Sequence, residues 1–422
     1  MPSKKKPRPL LVYADKDGQI FDHPEFEMIC RRGDELAQPK PEEYIPLPPD
    51  SEFFLLPGRV PLGLNSETGE VEEVEGIAVA AFACPGHTLT GLAAYGNTEG
   101  APVLPMFAYG AVGYANGKFW ITAKVVDEDK RQIFTKIPQQ KIDAGAKRVM
   151  KEMPENRLVR HLATCALTYG CPAAKNFALG RFEAPLPTAQ TCNARCIGCI
   201  SEQPEESAFP STQERIKFTP TAKEITEIMH YHAKREQKPI FSFGQGCEGE
   251  PLTEAKLICE AVQKYRSEGG KGTVNINTNG SLTATMKPLR EAGLTSIRVS
   301  MNSFLEPVYN AYYNPKGYKF EDVIATIKTA KELGLHVSLN YLFFPGVNDT
   351  ENEVTALIKV ATESKLDFIQ LRNLNIDPDL YMELVEGYDF GPSMGFINFR
   401  KRVQTECPWI GFGYFNPYLG ES

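Results

Sequence analysis

From residue 185 onward, short apolar strands alternate with amphipathic helices, and this alternation predicts an α/β fold with parallel strands and helical crossovers. Ahead of it, a β-rich texture followed by a helical one predicts an N-terminal β-rich plus helical region covering one side of the sheet. At this level an open or closed barrel and a doubly wound sheet look alike. In both, ligands sit at the C-terminal ends of the strands, so chemistry is sought just after each strand.

Residues 1–62 read as a basic tail, Lys4 to Arg8, and a connector rich in proline (Pro39, Pro41, Pro46, Pro48, Pro49, Pro57, Pro61) that suits an extended arm. Residues 63–138 read as a small β-rich module with strands at 76–83, 111–114 and 118–126, the last two joined at Asn116-Gly117. Residues 139–184 form a helical bridge, with Val149, Met153, Leu158 and Leu162 on an apolar face. Residues 185–375 hold the strand-helix core, with a short first strand from Ala184 and further strands at 239–243, 273–277, 296–300, 336–340 and 367–371. Thr221 with Glu224 marks a capping box, and Gly293 and Gly334 mark helix ends. Residues 376–422 are a C-terminal extension.

Composition excludes several classes. No run approaches the roughly 18 apolar residues of a membrane span, and the charged start has no apolar signal core behind it, so a cytoplasmic location is the default expectation. A formal charge of −7 supplies no whole-protein attraction to nucleic acid. Ten cysteines in 422 residues are too few and too uneven for a disulfide scaffold, and three of them fall between positions 192 and 199.

Cys192, Cys196 and Cys199 can wrap one face of a metal centre. A structural zinc site wants a fourth Cys or His close by, and none lies between Glu183 and Met229. Three thiolates without a local fourth suit an iron-sulfur cluster with one open iron. Zinc or ordinary buried thiols are the alternatives.

Cys-x3-Cys-x2-Cys at the head of an alternating strand-helix region resembles the radical S-adenosylmethionine (SAM) superfamily over residues 185–375. The resemblance implies a partial (β/α)6 parallel barrel, a 4Fe-4S cluster, and SAM bound to the open iron through its amino and carboxylate groups. It also implies reductive cleavage to a 5′-deoxyadenosyl radical, hydrogen abstraction from a substrate the sequence does not specify, and a reductant such as flavodoxin or ferredoxin. Glu248-Gly249-Glu250-Pro251 resembles the family's Gly-Gly-Glu-Pro loop, which makes Gly249 and Glu250 candidate contacts to the SAM ammonium. Asn277-Thr278-Asn279-Gly280 and Arg298-Val-Ser300-Met-Asn302 resemble the next two strand ends. Thr278 and Ser300, with Asn302 and Asn340, are the candidate SAM contacts there. The family usually places an aromatic residue before the third cysteine, against adenine, where this chain has Gly198.

Cys247 lies in the same loop as Glu250; a thiol filling space is the favoured reading, with hydrogen-atom donation as the catalytic alternative. Cys165 and Cys171 lack partners at ligand spacing and read as core, and the six histidines are scattered. Pro345-Gly-Val-Asn-Asp349 resembles a loop common in these barrels, with Asn348 or Asp349 expected to cap the next helix. Three alternatives differ in kind. A radical methyltransferase acting on RNA or another acceptor would use Cys407 as methyl carrier. A zinc-binding interaction protein would be non-enzymatic. A dinucleotide-dependent oxidoreductase would use Gly244, Gly246 and Gly249 as a Gly-x-Gly-x-x-Gly turn.

Overall fold

A computed structural model describes residues 7–420. Seven parallel strands form the second half: β1 (Glu183–Pro185), β2 (Ile240–Phe243), β3 (Thr273–Thr278), β4 (Ser296–Met301), β5 (His336–Phe343), β6 (Phe368–Asn373) and β7 (Gly411–Gly413). Their order in the sheet is their order in the chain, and each neighbouring pair is parallel. A doubly wound sheet reverses its order part-way, so this is a singly wound partial barrel. The six expected strands are present, and the C-terminal extension contributes a seventh.

The alternation along the strands explains the layering. Phe241, Phe243, Val274, Ile276, Ile297, Val299, Val337, Leu339, Ile369 and Leu371 are buried in the apolar core. The residues between them are polar and bond to one another. Asn275 reaches Ser242 and accepts from Ser296, Arg298 donates to Gln370 at 2.8 Å, and Gln370 donates to Asn416 at 2.9 Å. The barrel therefore has an apolar outside beneath helices and a hydrogen-bonded polar inside.

Eleven helices complete the described residues: α1 (Gln139–Glu152), α2 (Arg157–Leu167), α3 (Pro172–Leu179), α4 (Ala222–Ala233), α5 (Ala255–Ser267), α6 (Met286–Ala292), α7 (Glu306–Tyr313), α8 (Phe320–Glu332), α9 (Glu351–Ser364), α10 (Pro378–Leu384) and α11 (Gly395–Glu406). Thr221 and Glu224 form the capping box that starts α4, and Gly293 closes α6 in the left-handed region. None of the helices is long and apolar enough to cross a membrane.

The N-terminal half corrects the sequence reading. Residues 10–62 are not a connector: a 13-stranded antiparallel sheet begins at Leu10. Its prolines are compatible with strands because those strands are short or lie towards the edge, where a missing amide donor costs little. Pro46 sits in a two-residue strand, and Pro61 pairs with Tyr95 of the terminal strand. The Asn116-Gly117 hairpin forms as expected, with φ of 52° and 72°. Lys4, Lys5 and Lys6 lie outside the described residues, while Arg8 pairs with Glu27.

A separate two-stranded ribbon, His87–Leu89 with Ala123–Val125, docks beside β6. Thr88 donates to the Leu371 carbonyl at 2.8 Å, and the Asn373 side chain bridges Leu89 N and His87 O. Arg59 meets Asp377 at 3.2 Å, both buried. Asn348 and Asp349 do not cap α9: Asn348 accepts from Phe344 N and Asp349 from Gly346 N, so they close their own turn, and Thr350 takes the cap position.

Candidate active site

After β1 the chain leaves the sheet and is caught on two sides. On one side lies the loop after β2, where Gly249 N donates to Ala189 O at 2.7 Å and Glu250 N to Thr191 O at 2.9 Å. A Cβ on Gly249 would stand 1.9 Å from the Thr191 oxygen, so only glycine permits this approach. On the other side lies the end of α7, where Ile197 N donates to Tyr312 O and Arg195 N to Tyr313 O. The thiol segment is thus a stretch of irregular backbone whose hydrogen bonds come from its neighbours.

Glu248, to which the sequence reading gave no constructive part, locks this arrangement. Its buried carboxylate accepts from Thr188 N and Oγ1, Ala189 N, Gly244 N and Gln245 N. Burial pushes its carboxyl up, and the amide donors pull it back. The amides of Gly244 and Gln245 that a pyrophosphate would need are consumed by this side chain, so the dinucleotide alternative fails.

Cys192, Cys196 and Cys199 gather at this end of the sheet, each half-buried, and their charges act on one another. Burial pushes the Cys192 thiol up to about 11 and Cys196 well above its ordinary value, so iron is needed to hold them as thiolates. Among the described residues, only one set of three or more His, Cys, Asp or Glu donors lies within 4.8 Å of one another, and it is not this triad. At least one pair of the three sulfurs therefore lies more than 4.8 Å apart. Arg215, also missed in the sequence, donates to Cys199 Sγ at 3.6 Å and to Ser201 at 3.2 Å.

Glu250 is buried beside the triad, and its charge acts on both Cys192 and Cys196. Its Oε1 accepts from Leu252 N at 3.0 Å and Thr278 Oγ1 at 2.5 Å, and Oε2 from Asn279 N at 2.8 Å. Burial pushes the carboxyl up to about 7 against those donors. Two carboxylate oxygens offer about four lone-pair sites, which leaves one for a further donor. Asn279 also donates to Asn193, one residue past Cys192, so the loops after β1, β2 and β3 form one bonded unit.

The radical SAM superfamily profile matches residues 186–358, the stretch that carries this unit. The chain belongs to the radical SAM superfamily. Among curated proteins it is similar to GTP 3′,8-cyclase of Aquifex aeolicus, 34% identical over 161 residues, which cover 38% of this chain and 47% of the relative. GTP 3′,8-cyclase of Staphylococcus epidermidis is 27% identical over 218 residues, 51% of this chain and 56% of the relative. Human molybdenum cofactor biosynthesis protein 1 is 29% identical over 164 residues, 38% of this chain and 24% of the relative. The chain thus spans about half the length of the GTP 3′,8-cyclases it matches. Among solved structures, the FeFe-hydrogenase maturase HydG of Carboxydothermus hydrogenoformans aligns with a TM-score of 0.40 at 12% identity, covering 65% of this chain and 70% of that one. A radical SAM methyltransferase of Sphaerobacter thermophilus aligns at 0.38 and 14%, covering 56% and 67%.

Radical SAM membership implies a 4Fe-4S cluster and SAM, and the donor set fits both: three thiols with no local fourth ligand, and a buried carboxylate with one free acceptor site. The Tyr312 hydroxyl of α7 lies 2.5 Å from where a Gly198 Cβ would be, so a larger side chain at 198 would collide with it.

The other candidates divide. Ser300 and Asn340 are half-buried on the polar inner face and bond to each other at 3.2 Å. Thr278 donates to Glu250 and accepts from Gly280 N, which makes it a brace for the carboxylate. Asn302 is fully buried away from the inner face and donates to Val308 O and the Tyr381 hydroxyl, because the chain turns after Met301. Cys247 packs with Cys165 and Ala174 on the helical-bridge side, which removes it as a hydrogen-atom donor. Cys407 is fully buried at the end of α11, 3.6 Å from Thr362 of α9, in the outer helical layer. It cannot carry a methyl group to the barrel mouth from there.

Proposed function

We propose that the chain reductively cleaves SAM at a 4Fe-4S cluster held by Cys192, Cys196 and Cys199, and turns the product on a polar, anionic substrate inside the barrel. The observation that carries this reading is the buried Glu250 carboxylate beside the thiols, with one acceptor site left for a cation. Held by these residues, a reduced cluster would supply one electron and SAM the sulfonium bond that accepts it, giving methionine and the capacity to abstract hydrogen from substrate.

The protein's own residues then bind, orient and exclude. Glu250 accepts the ammonium in a charge-assisted hydrogen bond, and Thr278 and Asn279 hold its oxygens in place. Ser300 and Asn340 offer hydroxyl and amide groups on the adjoining strands. Arg215 places positive charge against Cys199, which favours the reduced cluster. An electron donor such as flavodoxin or ferredoxin completes the reaction.

The anionic substrate class rests on two guanidiniums. Arg298 and Arg372 share the polar inner face, and neither has a carboxylate within 4.0 Å among the described residues. Burial, and then repulsion by Arg372, lowers Arg298 to about 10. Such a pair is stabilised by a bound anion. GTP, the substrate in the name of the curated relatives, is one anion of this class and the first to try.

The test is electron paramagnetic resonance of the reduced, reconstituted protein with and without SAM. Binding at an open iron shifts the g-values of the reduced cluster. A spectrum unchanged by saturating SAM would remove the reading, whatever the substrate.

A further inference from the structure

Away from the triad, the one close-set group of metal-binding donors among the described residues is His161, Cys165 and Cys247, whose ligand atoms all lie within 4.8 Å of one another. His161 and Cys165 are four apart on α2 and share a face. Cys247 comes from the loop after β2, more than 80 residues later. Cys165 is fully buried and Cys247 is 3% exposed. Cys171, at the head of α3, packs in the same cluster and donates its amide to Cys165 O at 2.9 Å. We propose that His161, Cys165 and Cys247 form a mononuclear zinc site, separate from the cluster triad, with one coordination position left to a non-protein ligand such as water.

The spacing decides between metals. With Zn–S near 2.3 Å and Zn–N near 2.0–2.1 Å, a tetrahedral angle sets sulfur and nitrogen about 3.6 Å apart and two sulfurs about 3.8 Å apart. His161 Nε2 and Cys165 Sγ stand 3.5 Å apart. Thiolates on different irons of a 4Fe-4S cluster are held wider than this, so the pocket is the size of one ion. Two soft sulfurs and one imidazole within tetrahedral reach of one another are a donor set that suits zinc. Its consequence is mechanical: the ion ties the helical bridge to the loop whose next residue is Glu248, which in turn anchors the approach to Cys192.

The experiment uses the full chain, purified anaerobically and reconstituted with iron and sulfide. Metal analysis is expected to give about one zinc beside about four irons per chain. Zinc K-edge absorption should show two sulfurs and one imidazole nitrogen, with a light fourth ligand. Replacing Cys192, Cys196 and Cys199 together by alanine should remove the iron and leave the zinc. The H161A/C165A variant should lose the zinc and keep the iron, and because the two variants fail in opposite ways a general folding defect is distinguishable. A chain with no zinc, a Cys165–Cys247 disulfide found by mass spectrometry of the anaerobic protein, or iron and sulfide retained in the triple variant would each overturn the proposal.

Discussion

Replacing Glu250 by glutamine probes the site where its geometry is most specific. The carboxylate uses three of about four lone-pair positions on Leu252 N, Thr278 Oγ1 and Asn279 N. The remaining one is available to the SAM ammonium. A hydrogen bond to a charged group is worth about 1.5–3 kcal/mol, so E250Q should weaken SAM binding about 10- to 150-fold. The cluster's visible absorbance should be unchanged, because Glu250 ligates no iron. T278V removes one neutral donor to the same carboxylate and should cost only about 0.5–1.5 kcal/mol, roughly twofold to tenfold. The sign with pH follows from burial, which puts the carboxyl at about 7. Between about pH 6 and 8 the ionised fraction rises from about 0.1 to about 0.9, so wild-type affinity should rise about tenfold while E250Q stays flat. Anaerobic titration calorimetry reads both effects. Wild-type affinity in E250Q with an intact cluster would remove Glu250 from the cofactor site.

Three further outcomes are expected. R215Q, which removes the positive donor 3.6 Å from Cys199 Sγ, should make the cluster potential more negative, on the order of tens of millivolts by redox titration; an unchanged or higher potential contradicts the contact. G249A should destabilise the thiol loop by about 1–3 kcal/mol and lower iron content after reconstitution, because its Cβ would meet the Thr191 oxygen; full cluster occupancy would refute that. Glu224 is pushed up by burial, but Arg157 and the backbone donors outweigh this and hold it at about 2. Its contribution is present above about pH 4.5 and lost as pH falls towards 2, so E224Q should lower stability by about 1–3 kcal/mol at neutral pH and flatten the acid limb of the denaturation midpoint; parallel acid limbs would count against it.

The parts legible in the sequence were those set by local pattern. The five strands from Ile240 to Asn373 followed from apolar runs and cap residues, although the last four run one to three residues past the ends read at Asn277, Ser300, Asn340 and Leu371. What was missed is held together across the chain. The strands from Leu10 to Pro61 were hidden by prolines that edge positions tolerate. Glu248 stood in the sequence only as the first residue of the Glu-Gly-Glu-Pro loop, and the close approach of Thr188, Ala189, Gly244 and Gln245 makes it a clamp. Tyr312 fills the space beside Gly198 from more than a hundred residues away, which no local motif encodes. Asn302 follows Ser300 with strand parity, but the strand ends at Met301 and the next turn points it into the core. His161 and Cys165 were at ligand spacing for a helix face, and that signal was present; their third partner, Cys247, was not adjacent in any local sense.

The most direct measurement is anaerobic chromatography of SAM incubated with the dithionite-reduced protein. The account predicts 5′-deoxyadenosine and methionine, slowly and without added substrate, and none from the C192A/C196A/C199A variant. No 5′-deoxyadenosine above that variant's background, with the wild-type cluster shown intact and reduced, would contradict it.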